Sequence, residues 1–100
     1  MKILCIVQAR MDSERLPGKV MKKINGKCMI SYTLNSLNNC RYIDEVILAT
    51  SILQSNDILS QYVQSIGFNV FRGSEKNVLQ RYKNVADEYS GDIIVRITGD

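Results

Sequence analysis

Short apolar runs and amphipathic stretches alternate along this chain. Ile3-Leu4-Cys5-Ile6-Val7 is an unbroken apolar run, the pattern of a strand buried on both faces. Val46-Ile47-Leu48-Ala49-Thr50 and Ile93-Ile94-Val95-Arg96-Ile97 repeat it, and Asn69-Val70-Phe71 is a weaker fourth. Helical spacing fills the intervals. Ile30, Leu34 and Leu37 fall at i, i+4 and i+7. Ile58, Leu59, Tyr62, Val63 and Ile66 form a second stripe, with Ser55 or Asn56 as its N-cap and Gly67 as its stop. Val78, Leu79, Tyr82, Val85, Ala86 and Tyr89 form a third, with Ser74 as N-cap and Gly91 just past its end. Each stripe reads as a core face.

The order β-α-β-α-β-α-β predicts an α/β domain: a parallel sheet, helices on both faces and right-handed crossovers. A chain of 100 residues suffices for one small domain, and no repeat or linker divides it. One interval breaks the rhythm. From Gln8 to Lys27 the chain is far longer than the usual strand-to-helix connection of about 2–6 residues. It starts at the carboxyl end of the first strand, where open α/β sheets bind ligands.

Charge singles out the same interval. Residues 1–27 hold seven of the 13 cations and two of the 10 anions, whereas the rest of the chain is slightly acidic. So local an excess predicts an anionic ligand at one place and speaks against a general nucleic-acid surface. Composition excludes other classes. Hydrophobic residues at 45% with Gly 6 and Pro 1 rule out a collagen-like or disordered chain. No apolar run is long enough to cross a bilayer, and residues 1–7 lack a secretory h-region with a cleavage site, so a soluble, cytoplasmic protein is expected. Three widely spaced cysteines (Cys5, Cys28, Cys40) and no histidine argue against a disulfide framework and a Cys/His zinc site. They also remove Ser–His and Cys–His nucleophile pairs. The thiols read as reduced and packed.

Within the basic loop, Pro17-Gly18 makes a tight bend that presents Lys19. Arg10 and Arg15 supply planar forks for phosphate oxygens, Lys19 a point charge, and Ser13 with the backbone amides neutral donors. Such a set suits a triphosphate or pyrophosphate; a solvated basic loop would need no ligand at all. It is not a P-loop, because Ser13 stands where the first glycine belongs and Val20 where Ser or Thr belongs. No pair of glycines is spaced for a dinucleotide fingerprint either. Asp100, after the last strand and Gly99, is a carboxylate that can hold Mg²⁺ together with substrate phosphates, or simply form a turn. In Arg72-Gly73-Ser74-Glu75-Lys76, helix capping accounts for Ser74 and Glu75 without a ligand.

Gln8-Ala9-Arg10-Met11, Ser13 and Arg15-Leu16-Pro17-Gly18-Lys19-Val20 together resemble the opening motif of the CMP-sugar synthetases, a cytidylyltransferase family. The likeness is nearest to the branch of the spore coat polysaccharide biosynthesis protein F. Phe71-Arg72-Gly73-Ser74-Glu75 with Val78-Leu79 and Arg81-Tyr82, and then Val95-Arg96-Ile97-Thr98-Gly99-Asp100, agree in order and spacing. The resemblance implies a Rossmann-like, mostly parallel sheet of the nucleotide-diphospho-sugar transferase type. It also implies attack of a sugar-acid hydroxyl on the α-phosphorus of CTP, with Mg²⁺ as cofactor and pyrophosphate as leaving group.

By resemblance Ala9 meets the nucleotide through its backbone, and Gly18 shapes the loop. Arg10, Ser13, Arg15 and Lys19 hold the β- and γ-phosphates, with Arg10 and Lys19 stabilising the departing pyrophosphate. Asp100 anchors the metal, and Ser74 and Arg81 lie near the base or ribose. Asp12 and Glu14 depart from the small or neutral residues of many relatives and lower the loop's net charge. Family members run to more than twice this length. Residues 1–100 are therefore expected to be the N-terminal, nucleotide-binding part of a longer domain, inactive alone, with an open sheet edge that favours self-association such as a homodimer. Two other readings stay open: a non-catalytic nucleotide- or polyanion-binding domain, and a nucleotidyltransferase using another nucleoside triphosphate.

Overall fold

A computed structural model describes residues 1–11, 18–74 and 76–98. In chain order the elements are β1 (Ile3–Gln8), a small hairpin of β2 (Lys23–Ile24) and β3 (Lys27–Cys28), α1 (Met29–Asn38), β4 (Glu45–Ser51), α2 (Asp57–Ser65), β5 (Asn69–Gly73), α3 (Val78–Tyr89) and β6 (Ile93–Thr98). Single 3₁₀ turns stand at Lys19–Met21 and Gln54–Asn56. β1, β4, β5 and β6 form one wholly parallel sheet in the order β5-β4-β1-β6. This is the expected α/β architecture, with all four strands where the apolar runs lie.

The strand order explains the two cores. The chain steps outward from β1 to β4 to β5 and then returns past β1 to β6. With right-handed crossovers, the outward steps place α1 and α2 on one face, and the reversal places α3 on the other. Cys5, Val7, Val46 and Leu48 accordingly pack with Ile30, Leu34, Leu59 and Val63, whereas Leu4, Ile6, Ile47 and Ala49 pack with Val85, Phe71, Tyr82 and Tyr89. Because β1 and β4 are covered on both faces, their sequences are continuous apolar runs instead of alternating ones.

The amino-terminal edge of the sheet is tied by polar groups. Lys2 Nζ meets Glu45 Oε1 at 2.7 Å and donates to the Tyr89 carbonyl at 2.7 Å. Asp44 and Asp92 accept from the amides of Ile3 (2.6 Å) and Lys2 (2.7 Å). The carboxyl edge carries the long loop. There Gln8 stands between Ala49 and Thr98, so the ends of β4, β1 and β6 lie side by side. The reversal of strand order falls between β1 and β6, the switch point at which such sheets open a crevice.

Several local expectations are corrected. Ile58 (56% exposed) and Leu79 (73% exposed) leave the core stripes, since α2 and α3 each bury a narrower face than the run of apolar residues suggests. α3 is capped by Asn77, whose side chain accepts from the Gln80 amide at 3.0 Å, and not by Ser74. The Ser74 hydroxyl accepts from the Lys76 amide instead, at 3.3 Å. Part of the long interval is the β2–β3 hairpin, turned by Asn25 (φ 53) and Gly26 (φ 83), the left-handed pair that a two-residue hairpin requires. All three cysteines are free, Cys5 and Cys28 buried. Burial, and secondarily the neighbouring Cys40, raises the Cys5 pKa and keeps that thiol protonated near neutrality. No helix of the described residues is long and apolar enough to cross a membrane.

Candidate nucleotide site

The site begins where β1 ends. Ala9 is buried, and its amide donates to the Ala49 carbonyl at 3.2 Å, which carries the β1–β4 pairing one residue past the strand. Arg10 follows, half-buried. The Met11 amide donates to Asn56 Oδ1 at 2.8 Å, and the Met11 carbonyl accepts from the Gly18 amide at 2.9 Å. The chain thus leaves the sheet at Met11 and returns beside it at Gly18. Gly18 takes φ 73 and ψ 5, a left-handed conformation that a Cβ would penalise. It leads into the 3₁₀ turn Lys19–Met21, which is pinned to the core by buried Val20.

This closure brings together Ala9, Arg10, Gly18 and Lys19. Arg10 and Lys19 each stand one residue outside the Met11–Gly18 bond, so two cations flank one loop at the carboxyl end of the central strand. Lys19, Lys22, Lys23 and Lys27 make no ion pair among the described residues, whose pairs are Lys2–Glu45 and Arg72–Asp57. Among the described residues, then, these four lysines bring positive charge without an ion-pair partner, which favours an anionic ligand. Ser13 and Arg15 lie outside the described residues.

Ser74 and Arg81 belong to a separate corner. They lie at the end of β5, which β4 separates from β1, about 10 Å away across two strand spacings. Arg81 is only 3% exposed. Its aliphatic stem packs on Gly73 so closely that a Cβ built there would stand 2.7 Å from Arg81 Cγ and 3.2 Å from Phe71 Cε1. Gly73→Ala should therefore displace a buried arginine and destabilise the fold by about 1–3 kcal/mol, readable in a denaturant titration. An unchanged midpoint would show that the stem moves freely.

Sequence reasoning missed the support behind the loop. Asn56 is fully buried and serves as the α2 N-cap by position only, with no capping bond from its side chain. Its Nδ2 donates to Ser51 Oγ at 2.6 Å. Arg72, beside β4, donates through Nε to the Ser51 carbonyl (3.0 Å) and through Nη2 to the Leu53 carbonyl (2.9 Å), while Nη1 pairs with Asp57 at 2.7 Å. An asparagine before a helix reads as a cap, and nothing in the sequence marks its use on Met11.

Asp100 also lies outside the described residues. β6, which precedes it, ends at Thr98 beside Gln8, on the edge that carries the basic loop. Among the described residues no three His, Cys, Asp or Glu side chains converge as a metal site would need.

A wholly parallel sheet flanked by helices, with a basic loop anchored at its carboxyl edge, is the Rossmann-like α/β architecture. Residues 4–100 match the family described as cytidylyltransferase. The chain is 37% identical to the spore coat polysaccharide biosynthesis protein SpsF of Bacillus subtilis over 98% of its own length and 42% of that protein's. It superposes on a cytidylyltransferase structure from Leptospira borgpetersenii with a TM-score of 0.93 and 36% identity, covering 100% of this chain and 42% of that one. A CMP:2-keto-3-deoxy-manno-octonic acid synthetase solved with CTP gives a TM-score of 0.83 and 27% identity, over 100% and 41%. The chain belongs to the cytidylyltransferase family. It spans about two fifths of the length of these relatives.

Proposed function

We propose that the whole protein is a CTP-dependent sugar cytidylyltransferase that joins CMP to a sugar-acid hydroxyl and releases pyrophosphate. The observation that supports this reading is the loop closed by the Gly18 amide on the Met11 carbonyl at the end of β1, with Arg10 preceding the one residue and Lys19 following the other. The acceptor oxygen forms a bond to the α-phosphorus. The bridging α–β bond breaks, and pyrophosphate leaves with its electron pair. Such a transfer asks the protein for alignment and charge neutralisation, without a covalent enzyme intermediate.

In this reading the Ala9 backbone faces the nucleotide. Arg10 and Lys19, with Ser13 and Arg15, hold the β- and γ-phosphates and take up the charge that develops on the leaving group. Ser74 and Arg81 line the base or ribose side. Mg²⁺ on Asp100 would supply further neutralisation of the phosphates; the described residues do not themselves form its site. The name of the SpsF relative supports a surface or spore-coat polysaccharide as the destination of the product, and the hundred residues are expected to bind nucleotide without turning it over.

The test is thermal. CTP with Mg²⁺ at 100 times its Kd should stabilise the chain by about 2.7 kcal/mol, seen as a rise in Tm. Lys19→Ala should reduce that rise, and ATP should produce less of it than CTP. Equal shifts from CTP, ATP and heparin would instead identify an unselective basic patch, the second reading, which is favoured by the lysines at 19, 22, 23 and 27, none of them in an ion pair among the described residues.

A further inference from the structure

The structure assigns Asn56 as a positioning residue that sets the nucleotide loop on the sheet through the Met11 amide, an inference that rests on the nucleotide reading above. Three observations converge on it. First, α2 forgoes a side-chain cap at its N-cap position, although asparagine is among the best residues for that task. Second, both ends of the fully buried amide are engaged elsewhere, Oδ1 on Met11 N–H at 2.8 Å and Nδ2 on Ser51 Oγ at 2.6 Å. Third, the neighbours of Asn56 are themselves braced from β5. Arg72 bonds the carbonyls of Ser51 and Leu53 and pairs with Asp57, the residue after Asn56.

Met11 makes this contact consequential. Its amide is held by Asn56 while its carbonyl holds Gly18, so one residue carries both ends of the loop. With the Met11 amide released, the Ala9–Ala49 bond and buried Val20 still hold the flanks, but the Met11–Gly18 closure between Arg10 and Lys19 is no longer tied to Asn56, and phosphates bound there lose alignment. Asn56 does this without touching substrate.

Two independent measurements on the same variants test the assignment: amide hydrogen exchange at Met11, and the Kd for CTP with Mg²⁺. Asn56→Ala should speed Met11 exchange and weaken CTP binding, each by about tenfold, while the amides of Cys5, Ile6 and Val7 keep their protection. Asn56→Asp retains an acceptor for Met11 and can accept from the Ser51 hydroxyl, so it should restore both values towards wild type. Ser51→Ala removes the support on Nδ2, together with the longer bond from the Leu53 amide (3.3 Å), and leaves Asn56 Oδ1 in place, so it should give the same changes at smaller size; it and Asn56→Asp carry the test should Asn56→Ala fail to fold. Met11 remaining protected in the variants overturns the assignment. So does exposed Met11 with unchanged CTP affinity, or loss of protection spread evenly through β1. A wild-type chain that binds no CTP would sink the nucleotide reading, while Met11 exchange would still decide whether Asn56 fixes the loop.

Discussion

Leu48→Ala is expected to lower the Tm by about 15–40 °C, the largest loss of stability from any single truncation argued for this fold. Leu48 is fully buried in β4, opposite Val7 of β1 and Val70 of β5. It belongs to the core beneath α1 and α2, with Leu34, Leu59 and Val63. Removing a leucine side chain from such a place costs about 2–5 kcal/mol, the upper part of the range applying where surroundings cannot close the cavity. Here hydrogen bonding to strands on both sides fixes the backbone, so collapse is restricted. In a domain of this size each kcal/mol moves Tm by about 4–8 °C. Leu79→Ala is the control. That leucine is 73% exposed on α3, and its truncation should change stability by no more than about 0.5 kcal/mol. Calorimetry on the two variants checks the pair, and equal losses would contradict the division of buried and exposed faces.

The contrast between Leu48 and Leu79 also shows what a sequence of this kind reveals. Strands covered on both faces must be apolar at every position, so β1 and β4 were legible from their runs alone, and the alternation with helices gave the parallel sheet. Helix stripes were legible as faces but not in width. Leu79 and Ile58 lie within the apolar pattern yet outside the buried arc, because how much of a helix is covered depends on which strands lie beneath it. The β2–β3 hairpin has a local signal in Asn25-Gly26, a dipeptide of the two-residue hairpin turn, set inside a stretch whose charge reads first as loop. The basic loop was legible as chemistry, since charge density and a Pro-Gly bend are local properties. Its support was not. Asn56 is 45 residues from Met11, and a long-range side-chain bond to backbone leaves no trace in residue type. Reading Asn56 and Ser74 as caps used the right propensity, but tertiary contacts redirected one and Asn77 displaced the other.

Arg10→Ala in the whole protein should reduce kcat for pyrophosphate release by about 10²–10³-fold, the effect typical of deleting one preorganised donor aimed at developing charge. Arg10 directly precedes the Met11 anchor, so its backbone position is set by the same bonds that close the loop. In the proposed transfer, negative charge grows on the leaving pyrophosphate as the α–β bond breaks. A guanidinium fixed beside that group therefore interacts more strongly with the transition state than with bound CTP. The loss should accordingly fall on kcat, with a smaller change in KM for CTP. Arg10→Lys restores a charge but not the planar fork, and since phosphate recognition by arginine depends on both, it should recover only part of the rate. Steady-state assays of pyrophosphate release on the three proteins separate the possibilities. A rise in KM with kcat preserved would mean that Arg10 serves ground-state binding alone, and full activity in Arg10→Lys would reduce its contribution to simple charge. The predicted order of kcat, wild type above Arg10→Lys above Arg10→Ala, follows only if the fork itself meets the departing phosphates.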